Sequence, residues 1–328
     1  MRYTAARPVM SVRRKPPVLD VVTLARPAAP RASGERIADR YELVDHYGSG
    51  PLGHTYRARA DGGHSVALKI LAHELVPTSA ERTALLTDLS KLRDREMPCI
   101  AVPIDFGIDS GVAYVVSHWV AGKSLRRVLG AYRDAGRGIP PVEAYGVLEG
   151  VVRALRQLHT VCAHGAIYPE NIQISRDGRV ILTDAGIAGA VPHARFVEHL
   201  ERFPDVFGYI APEIRAGKSP SAGADLFALG ALASELLAGD PAAATAGIAG
   251  AMIENATPEI EEALRGLTSM KASRRAGALP KLLESLSKLV GRRSLPITSA
   301  LPRQVARTEV HPVAGADVPR SRRAARRT

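Results

Sequence analysis

The stretch Tyr41-Glu-Leu-Val-Asp-His-Tyr-Gly-Ser-Gly-Pro-Leu-Gly-His-Thr-Tyr-Arg-Ala58 alternates apolar and polar residues and is interrupted by a glycine-rich loop. Gly48, Gly50 and Gly53 of that loop fit the pattern G-x-G-x-x-G. In a dinucleotide-binding fold the third glycine would open a helix, but here a second strand and a Gly-Gly turn follow. The loop therefore predicts the bend of a β-hairpin, which can lie over phosphates because glycine allows close backbone approach.

The pattern on either side of this hairpin predicts two lobes. Val66-Ala-Leu-Lys-Ile-Leu71 forms a third strand, so residues 41–71 predict three antiparallel strands. Further elements of the same lobe are predicted as a helix at 84–92 and strands at 101–106 and 112–116. After Gly122 the apolar spacing becomes helical, and residues 225–238 are apolar on nearly every side, as in a buried helix. The predicted fold class is α+β, with a small antiparallel β lobe carrying one helix and a larger, mainly α lobe.

Composition fits a globular protein and excludes several other classes. The chain has 328 residues, of which 46% are hydrophobic and 23% charged. The two cysteines, Cys99 and Cys162, are too few to stabilise a fold of this size through disulfide bonds, and no signal sequence is recognised. We therefore expect a reducing, cytoplasmic location. No apolar run reaches the ~20 residues that a membrane span needs.

The formal charge of +11 is concentrated at the two ends of the chain. Residues 1–40 hold nine basic and three acidic residues, and residues 291–328 hold nine and two, which leaves 26 basic and 28 acidic residues between them. Both flanks are rich in Pro, Ala and Arg, so we predict a disordered segment at 1–40 and a disordered tail at 291–328. We interpret them as solvated tails; the alternative is docking to an acidic surface of lipid, nucleic acid or protein. No specific nucleic-acid or membrane signal is present.

Lys69 lies inside the apolar strand that follows the glycine-rich loop. A lysine in such a strand either snorkels to water from a sheet edge or binds an anion. Its spacing from Gly53 favours the second interpretation, a lysine that contacts phosphate.

Further motifs follow in a fixed order: His164-Gly-Ala-Ile-Tyr-Pro-Glu-Asn171, Asp184-Ala-Gly186, Ala211-Pro-Glu213, Asp225 to Gly230, and Arg275. With the loop and Lys69, they resemble the H-R-D-x-K-P-x-N, D-F-G and A-P-E motifs, the central helix and the late arginine of bacterial eukaryotic-type (Hanks-type) serine/threonine protein kinases. The resemblance implies a bilobal kinase-like domain at 41–290. Its N-lobe would span about 41–117, its hinge about 118–123 and its C-lobe about 124–290.

The resemblance also implies a site for ATP and Mg²⁺. Lys69 would bind the α- and β-phosphates, and Asn171 and Asp184 would hold the metal. The remaining positions that it assigns to the nucleotide site are Gly48, Gly50 and Gly53 in the loop, Thr55 and Ala67 in the adenine ceiling, Trp119 in the hinge, Gln173 in the floor, and Asp88 as the partner of Lys69.

Two of these positions depart from the family pattern. Asp88, found by counting back from Pro98, replaces a glutamate and is one methylene shorter. Gln173 replaces an apolar residue, and burying its amide without a partner would cost about 1 to 3 kcal/mol.

The catalytic positions depart further. By the resemblance, Ala166 stands at the general-base position and Tyr168 at the catalytic-loop lysine. An alanine methyl cannot accept a proton and a phenol is neutral at pH 7, so the loss of the base alone predicts a rate lower by about 10² to 10⁴. No catalytic residue is therefore assigned, and no neighbouring carboxylate is an obvious substitute, because Glu170 points elsewhere in the family pattern.

The segment after Asp184 lacks the usual means of regulation. Ala185 replaces the Phe of D-F-G, and residues 185–212 contain no Ser or Thr. Phosphorylation of this segment on Ser or Thr is excluded by composition. We interpret its basic residues Arg195 and Arg202 as solvated surface charges.

Three functions follow as hypotheses. The first is a pseudokinase that binds Mg-ATP and acts as a regulatory or scaffolding partner of another protein, such as an active kinase. The second is a slow but active serine/threonine kinase, because phosphoryl transfer needs little covalent help. The third is a nucleotide-free interaction module whose pocket is sealed or distorted by Gln173 and Asp88.

Overall fold

A computed structural model describes residues 29–93, 95–246 and 256–291, so the disorder predicted for 1–28 and 292–328 concerns residues outside these ranges. Within them, order begins earlier than the predicted boundary at Tyr41. Strand β1 (Arg36–Ile37) pairs with the next strand, and Ile37 is 1% exposed. The prediction of disorder is therefore wrong for residues 36–37, because an apolar side chain within the basic segment is buried in the β lobe.

The N-lobe is one antiparallel sheet with a single long helix. Its strands are β1, β2 (Tyr41–Gly50), β3 (Gly53–Ala60), β4 (Ser65–Leu71), β5 (Pro103–Asp109) and β6 (Val112–His118), in the order β1-β2-β3-β4-β6-β5. Helix α1 spans Ser79–Ser90 and starts before the predicted residue 84. It does so because Thr78 and Glu81 form a capping box that satisfies the first backbone N–H groups.

The sheet curls so that its distant strands approach each other. The Tyr41 hydroxyl on β2 donates a 2.6 Å hydrogen bond to Asp105 Oδ2 on β5. Tyr41, Tyr56, Leu68 and Val116 belong to a separate buried cluster in this lobe. The curl thus gives the β lobe a core of its own, which fixes the strands that carry the glycine-rich bend and Lys69.

The C-lobe is mainly helical around a buried central helix. Its elements are β7 (Gly122–Ser124), α2 (Leu125–Asp134), α3 (Pro141–Leu158), β8 (Ile172–Ser175), β9 (Val180–Leu182), α4 (Ile187–Ala190), α5 (His193–Leu200), α6 (Pro204–Phe207), α7 (Pro212–Arg215), α8 (Ala222–Ala238), α9 (Ala242–Ala246), α10 (Pro258–Leu267) and α11 (Arg275–Leu289). Strands β7, β8 and β9 form a small sheet in that order. Helix α8 is buried along most of its length, as its apolar sequence predicts. Within the described ranges, no helix combines the length and apolar character needed to cross a bilayer.

The second and larger hydrophobic cluster runs through both lobes. It includes Leu52 and Leu85 of the N-lobe as well as Leu155 and Leu232 of the C-lobe. The lobes therefore share a continuous core, and the cleft between them lies in front of that core.

Candidate functional site

A cleft lies between the two lobes and brings most of the predicted site residues together. Seven of them line it: Thr55, Ala67, Lys69, Trp119, Asn171, Gln173 and Asp184. Strands β3 and β4 form the upper wall of the cleft, and the chain after β6 forms its side. The floor is formed by β8, by the residues just before β8 and by the residues just after β9.

Gly48 and Gly50 lie at the end of β2 and Gly53 begins β3, on the two sides of the bend at Pro51 and Leu52, and none of the three glycines is among the cleft-lining residues. Gly50 lies opposite Gly53 in the strand register. Gly53 has φ +129°, and a Cβ there would lie 2.1 Å from the carbonyl oxygen of Ile70. Glycine at this position is therefore required for the hairpin to pack against β4.

Lys69 forms an ion pair within the cleft with Asp184. Its Nζ lies 2.5 Å from Asp184 Oδ2, and the two side chains are 10% and 11% exposed. Both side chains have little contact with water, so the pair places a lysine amine and a carboxyl group in direct contact at the wall of the cavity.

The predicted pairing of Lys69 with Asp88 is wrong. Asp88 is exposed near the end of α1 and lies 2.5 Å from the ammonium of Lys91. The buried face of α1 carries Leu85 and Leu89 instead. Counting back from Pro98 without a gap did identify an acidic residue of α1. That residue lies outside the helix face that packs against the core, because this face carries the leucines.

Asp184 adopts a backbone conformation that is costly for a non-glycine residue. Its φ is 63°, in the left-handed region, and Gly186 follows with φ 81°. The preceding residue is fixed on two sides, because Thr183 N–H donates to the Asn171 carbonyl at 2.9 Å and His164 Nε2 lies 2.9 Å from the Thr183 carbonyl. Strain of this kind is typical of functional sites, where the surrounding structure holds it in place.

The loop that carries the catalytic positions is anchored to α8 by a buried carboxylate. His164 N–H donates to Asp225 Oδ2 and Gly165 N–H donates to Oδ1, both at 2.8 Å. His159 Nε2 adds a third contact, 2.8 Å from Oδ2, which the sequence interpretation missed. His164 is fully buried, as its predicted structural role requires, and burial lowers the pKa of its imidazole.

Ala166 and Tyr168, the two altered catalytic positions, are both buried. Their exposures are 0% and 1%. Burial raises the pKa of the Tyr168 phenol well above its ordinary value; the charges of Asp184 and Glu170 add to this and a hydrogen bond with Asn171 opposes it. Tyr168 is thus a neutral hydroxyl in a place where the family pattern has a cation.

Asn171 and Asp184 suit a magnesium ion that also binds phosphate. The amide nitrogen of Asn171 donates a 3.0 Å hydrogen bond to the Ala166 carbonyl, so its oxygen remains for a metal. Among the described residues there is no group of three or more His, Cys, Asp or Glu side chains that could hold a metal ion. Two oxygen ligands with phosphate supplying others is the usual protein environment of Mg²⁺. The site therefore fits Mg-nucleotide better than a free metal.

Gln173 does not lack a partner, so the expected burial cost does not arise. The Tyr47 hydroxyl donates a 2.9 Å hydrogen bond to its Oε1. Tyr47 also lines the cleft and packs edge-on against Trp119, with ring centroids 5.2 Å apart. Sequence reasoning missed Tyr47 because the residue stands just before the glycine-rich loop and is 126 positions from Gln173.

Arg195 and Arg202, which we interpreted from the sequence as solvated surface charges, both form ion pairs with the N-lobe. Arg195 Nε lies 3.0 Å from Glu81 Oε1, and a nitrogen of Arg202 lies 3.4 Å from Glu74 Oε1. Arg202 is only 17% exposed. These pairs connect α5 and the residues that follow it, in the segment after Asp184, to the α1 region of the N-lobe.

The sequence interpretation also missed a partly buried ion network at the lower edge of the cleft. Arg126 of α2 contacts Glu170 at 2.8 Å and Glu235 of α8 at 2.5 Å. The other oxygen of Glu170, Oε2, is buried and has no hydrogen-bond partner among the described residues. Glu170 lines the cleft. It is therefore a carboxylate at the cleft with one oxygen that has no hydrogen-bond partner among the described residues.

The predicted pair between Glu213 and Arg275 is present. Arg275 donates to Glu213 Oε2 at 2.9 Å and is 0% exposed. The arginine also donates to the backbone carbonyl of Gly223 at 2.9 Å, so it joins α7, α8 and α11.

Comparison with known proteins agrees with this architecture. The family described as protein kinase domain matches residues 41–290. The chain is 28% identical over 208 residues to the serine/threonine-protein kinase PrkC of Bacillus subtilis, covering 63% of this chain and 31% of PrkC. It is 31% identical over 224 residues to the DNA damage-responsive serine/threonine-protein kinase RqkA of Deinococcus radiodurans, covering 65% and 32%. This chain thus spans about a third of the length of these relatives.

Among solved structures, the kinase domain of Mycobacterium tuberculosis PknI superposes with a TM-score of 0.61 at 21% sequence identity, over 79% of this chain and 99% of that one. This similarity confirms the bilobal fold. With the family match over most of its length, the chain belongs to the protein kinase domain family, and bacterial serine/threonine kinases are among its relatives.

Proposed function

We propose that this protein is a pseudokinase, which binds Mg-ATP but transfers the phosphoryl group very slowly, and which regulates or scaffolds another protein. The observation that carries the proposal is the buried pair Ala166 and Tyr168 at the two catalytic positions. Neither side chain can take up a hydroxyl proton or neutralise a transferred phosphate at pH 7.

Binding is supported by the cleft itself. Lys69, Asn171 and Asp184 line it together, and they provide a cation for phosphate and two oxygen ligands for Mg²⁺. Bound Mg²⁺ would neutralise charge on the phosphates. The chain's own residues would orient the nucleotide and would leave a substrate hydroxyl without a base.

Two measurements on the full chain test this proposal. Mg-ATP at 100 times its dissociation constant should stabilise the protein by about 2.7 kcal/mol in a thermal-shift assay, and Lys69→Met should abolish the shift. Transfer to generic protein substrates and to the chain itself should be at least about 100-fold below that of an ordinary kinase, because the base is missing. Turnover within tenfold of an ordinary kinase, lost in Lys69→Met, would contradict the proposal. No thermal shift would instead favour a nucleotide-free interaction module.

A slow but active kinase is the second candidate, and Glu170 favours it. Glu170 lines the cleft, and its Oε2, which has no hydrogen-bond partner among the described residues, can accept a proton, as the methyl group of Ala166 cannot. In Glu170→Gln the oxygen that contacts Arg126 can be kept while the basicity is lost. If residual transfer falls at least tenfold in this variant while the Mg-ATP thermal shift persists, Glu170 acts as the base. Glu149→Gln, on an exposed position of α3, is the matched control.

The partner and the location of the protein are proposals as well. We propose that it acts on a protein partner such as an active bacterial serine/threonine kinase, and that it works in the cytoplasm. The rate of a purified bacterial serine/threonine kinase, measured with and without this chain, tests the partner. A rate unchanged at saturating concentrations of this chain would contradict regulation of that kinase.

A further inference from the structure

Tyr47 joins the two lobes across the cleft. It lies at the end of β2 in the N-lobe, and its hydroxyl makes two hydrogen bonds to the C-lobe. The hydroxyl donates to Gln173 Oε1 at 2.9 Å and accepts from Ser124 N–H at 3.2 Å. Both Tyr47 and Gln173 line the nucleotide cleft from opposite lobes. The phenol therefore crosses the space between the upper wall and the floor.

Arg127 of α2, an exposed residue, also contacts Tyr47. Its guanidinium donates to the Tyr47 carbonyl at 2.7 Å and lies 4.5 Å from the centroid of the Tyr47 ring. Trp119 in the hinge packs edge-on against that ring at 5.2 Å. Tyr47 is thus held by a cation, an aromatic edge and two hydrogen bonds, and burial raises the pKa of its phenol, which keeps it neutral.

The far end of the same hairpin is also held down. Leu52, in the bend, is 0% exposed and belongs to the core shared by the lobes. Its carbonyl accepts a 3.1 Å hydrogen bond from Ala72 N–H. The glycine-rich hairpin therefore has attachments at Tyr47 in β2 and at Leu52 in its bend, and lifting it away from the cleft requires breaking the contacts of Tyr47.

We propose that Tyr47, Gln173, Ser124 and Arg127 form a latch, the Tyr47 latch, which must open before a nucleotide enters or leaves the cleft. This inference rests on the proposed nucleotide binding and deepens it: the nucleotide is a slowly exchanging, resident ligand rather than a substrate that turns over rapidly. It also gives a reason for the amide of Gln173 in a floor position that is otherwise apolar in the family pattern, since an apolar side chain there would offer the phenol no acceptor.

Trp119 makes the latch directly measurable. It is the only tryptophan of the chain and lies against the Tyr47 ring. We would mix the full chain with Mg-ATP in a stopped-flow instrument and follow Trp119 fluorescence for the association and dissociation rates. Tyr47→Phe removes the two hydroxyl hydrogen bonds and keeps the ring, and Gln173→Leu removes one of them. Tyr145→Phe, which removes a phenol hydroxyl from α3, is the control.

A latch predicts that both rates rise together. Breaking two hydrogen bonds should speed association and dissociation by about tenfold each in Tyr47→Phe, with a smaller increase in Gln173→Leu and a dissociation constant changed less than threefold. An increase in the dissociation rate alone would identify Tyr47 as a simple ligand contact and would overturn the latch. Unchanged rates in both variants would overturn it too.

A second measurement needs no nucleotide. Acrylamide quenching of Trp119 in the nucleotide-free protein should increase in Tyr47→Phe and remain at the native value in Tyr145→Phe. If the native protein does not bind Mg-ATP but Tyr47→Phe does, the result supports a latch that keeps the cleft of the native protein closed to nucleotide. If neither binds, the proposed nucleotide function fails and the latch has no exchange to control. If both bind with equal rates and equal quenching, the latch alone is refuted.

Discussion

The carboxylate of Asp225 holds the catalytic loop on helix α8, and Asp225→Asn should release that loop at a large cost in stability. The native side chain is 1% exposed and contacts three groups, each at 2.8 Å: His164 N–H, Gly165 N–H and His159 Nε2. An asparagine has one acceptor oxygen and one NH₂ group. Its nitrogen would face a backbone N–H, so at least one buried donor would lose its partner.

The expected cost follows from these contacts. A hydrogen bond to a charged acceptor contributes about 1.5 to 3 kcal/mol; at least one of the three is lost in Asp225→Asn, and the others are weakened because the remaining acceptor is neutral. The free energy of unfolding should therefore fall by about 3 to 5 kcal/mol. Urea denaturation followed by circular dichroism measures this as a lower midpoint with an unchanged slope.

Asp205→Asn provides the control for this substitution. Asp205 lies on the exposed part of α6, so its variant should stay within about 0.5 kcal/mol of the native protein. A loss below about 1 kcal/mol in Asp225→Asn would refute the idea that this carboxylate anchors the loop, because one orphaned buried donor already costs that much.

Three further changes have definite expected outcomes. Lys69→Ala leaves the buried Asp184 carboxylate unpaired, so thermal denaturation should show a destabilised protein; a melting temperature unchanged from native would contradict the ion pair in solution. Arg275→Ala leaves the Glu213 carboxylate without its partner. The free energy of unfolding in urea should fall by about 3 to 5 kcal/mol, since the guanidinium is fully buried, and a fall of less than about 1 kcal/mol would show that the pair contributes little. Burial raises the pKa of Glu143, so the folded state holds its proton more tightly than the unfolded state, and stability is lost as pH rises from the ordinary carboxyl pKa to the raised one. Glu143→Gln should therefore be more stable relative to native at pH ~8 than at pH ~4, and equal differences at the two values would contradict this.

The sequence predicted the fold well because its signals are local. The alternation from Tyr41 onward, the apolar helix at 225–238 and each single motif lie within a short stretch of chain, and the predicted strands and helices are present. The start of α1 was placed late because leucine spacing marks the buried part of a helix, whereas the capping box at Thr78 sets its beginning.

The parts of the site that were missed depend on pairs distant in sequence. Tyr47 and Gln173 are 126 residues apart, and Arg126 and Glu235 are 109 apart. No periodicity connects such residues, so a buried amide or arginine looks unsatisfied until the fold supplies its partner. Asp88 shows the opposite error, since a motif position was filled by counting although the helix face that meets the core carries leucines.

The ion pairs of Arg195 and Arg202 with the N-lobe have a consequence for how the segment after Asp184 is controlled. The segment contains no Ser or Thr on which a phosphate could be placed. Two of the contacts that join it to the α1 region are ion pairs in partial contact with solvent, and such attractions are screened as the Debye length shortens from about 10 Å at 0.1 M ionic strength to 3 Å at 1 M. Higher ionic strength should therefore weaken these two contacts between the segment and the α1 region, while the buried side chains Phe196 and Leu200 still hold the segment in the core.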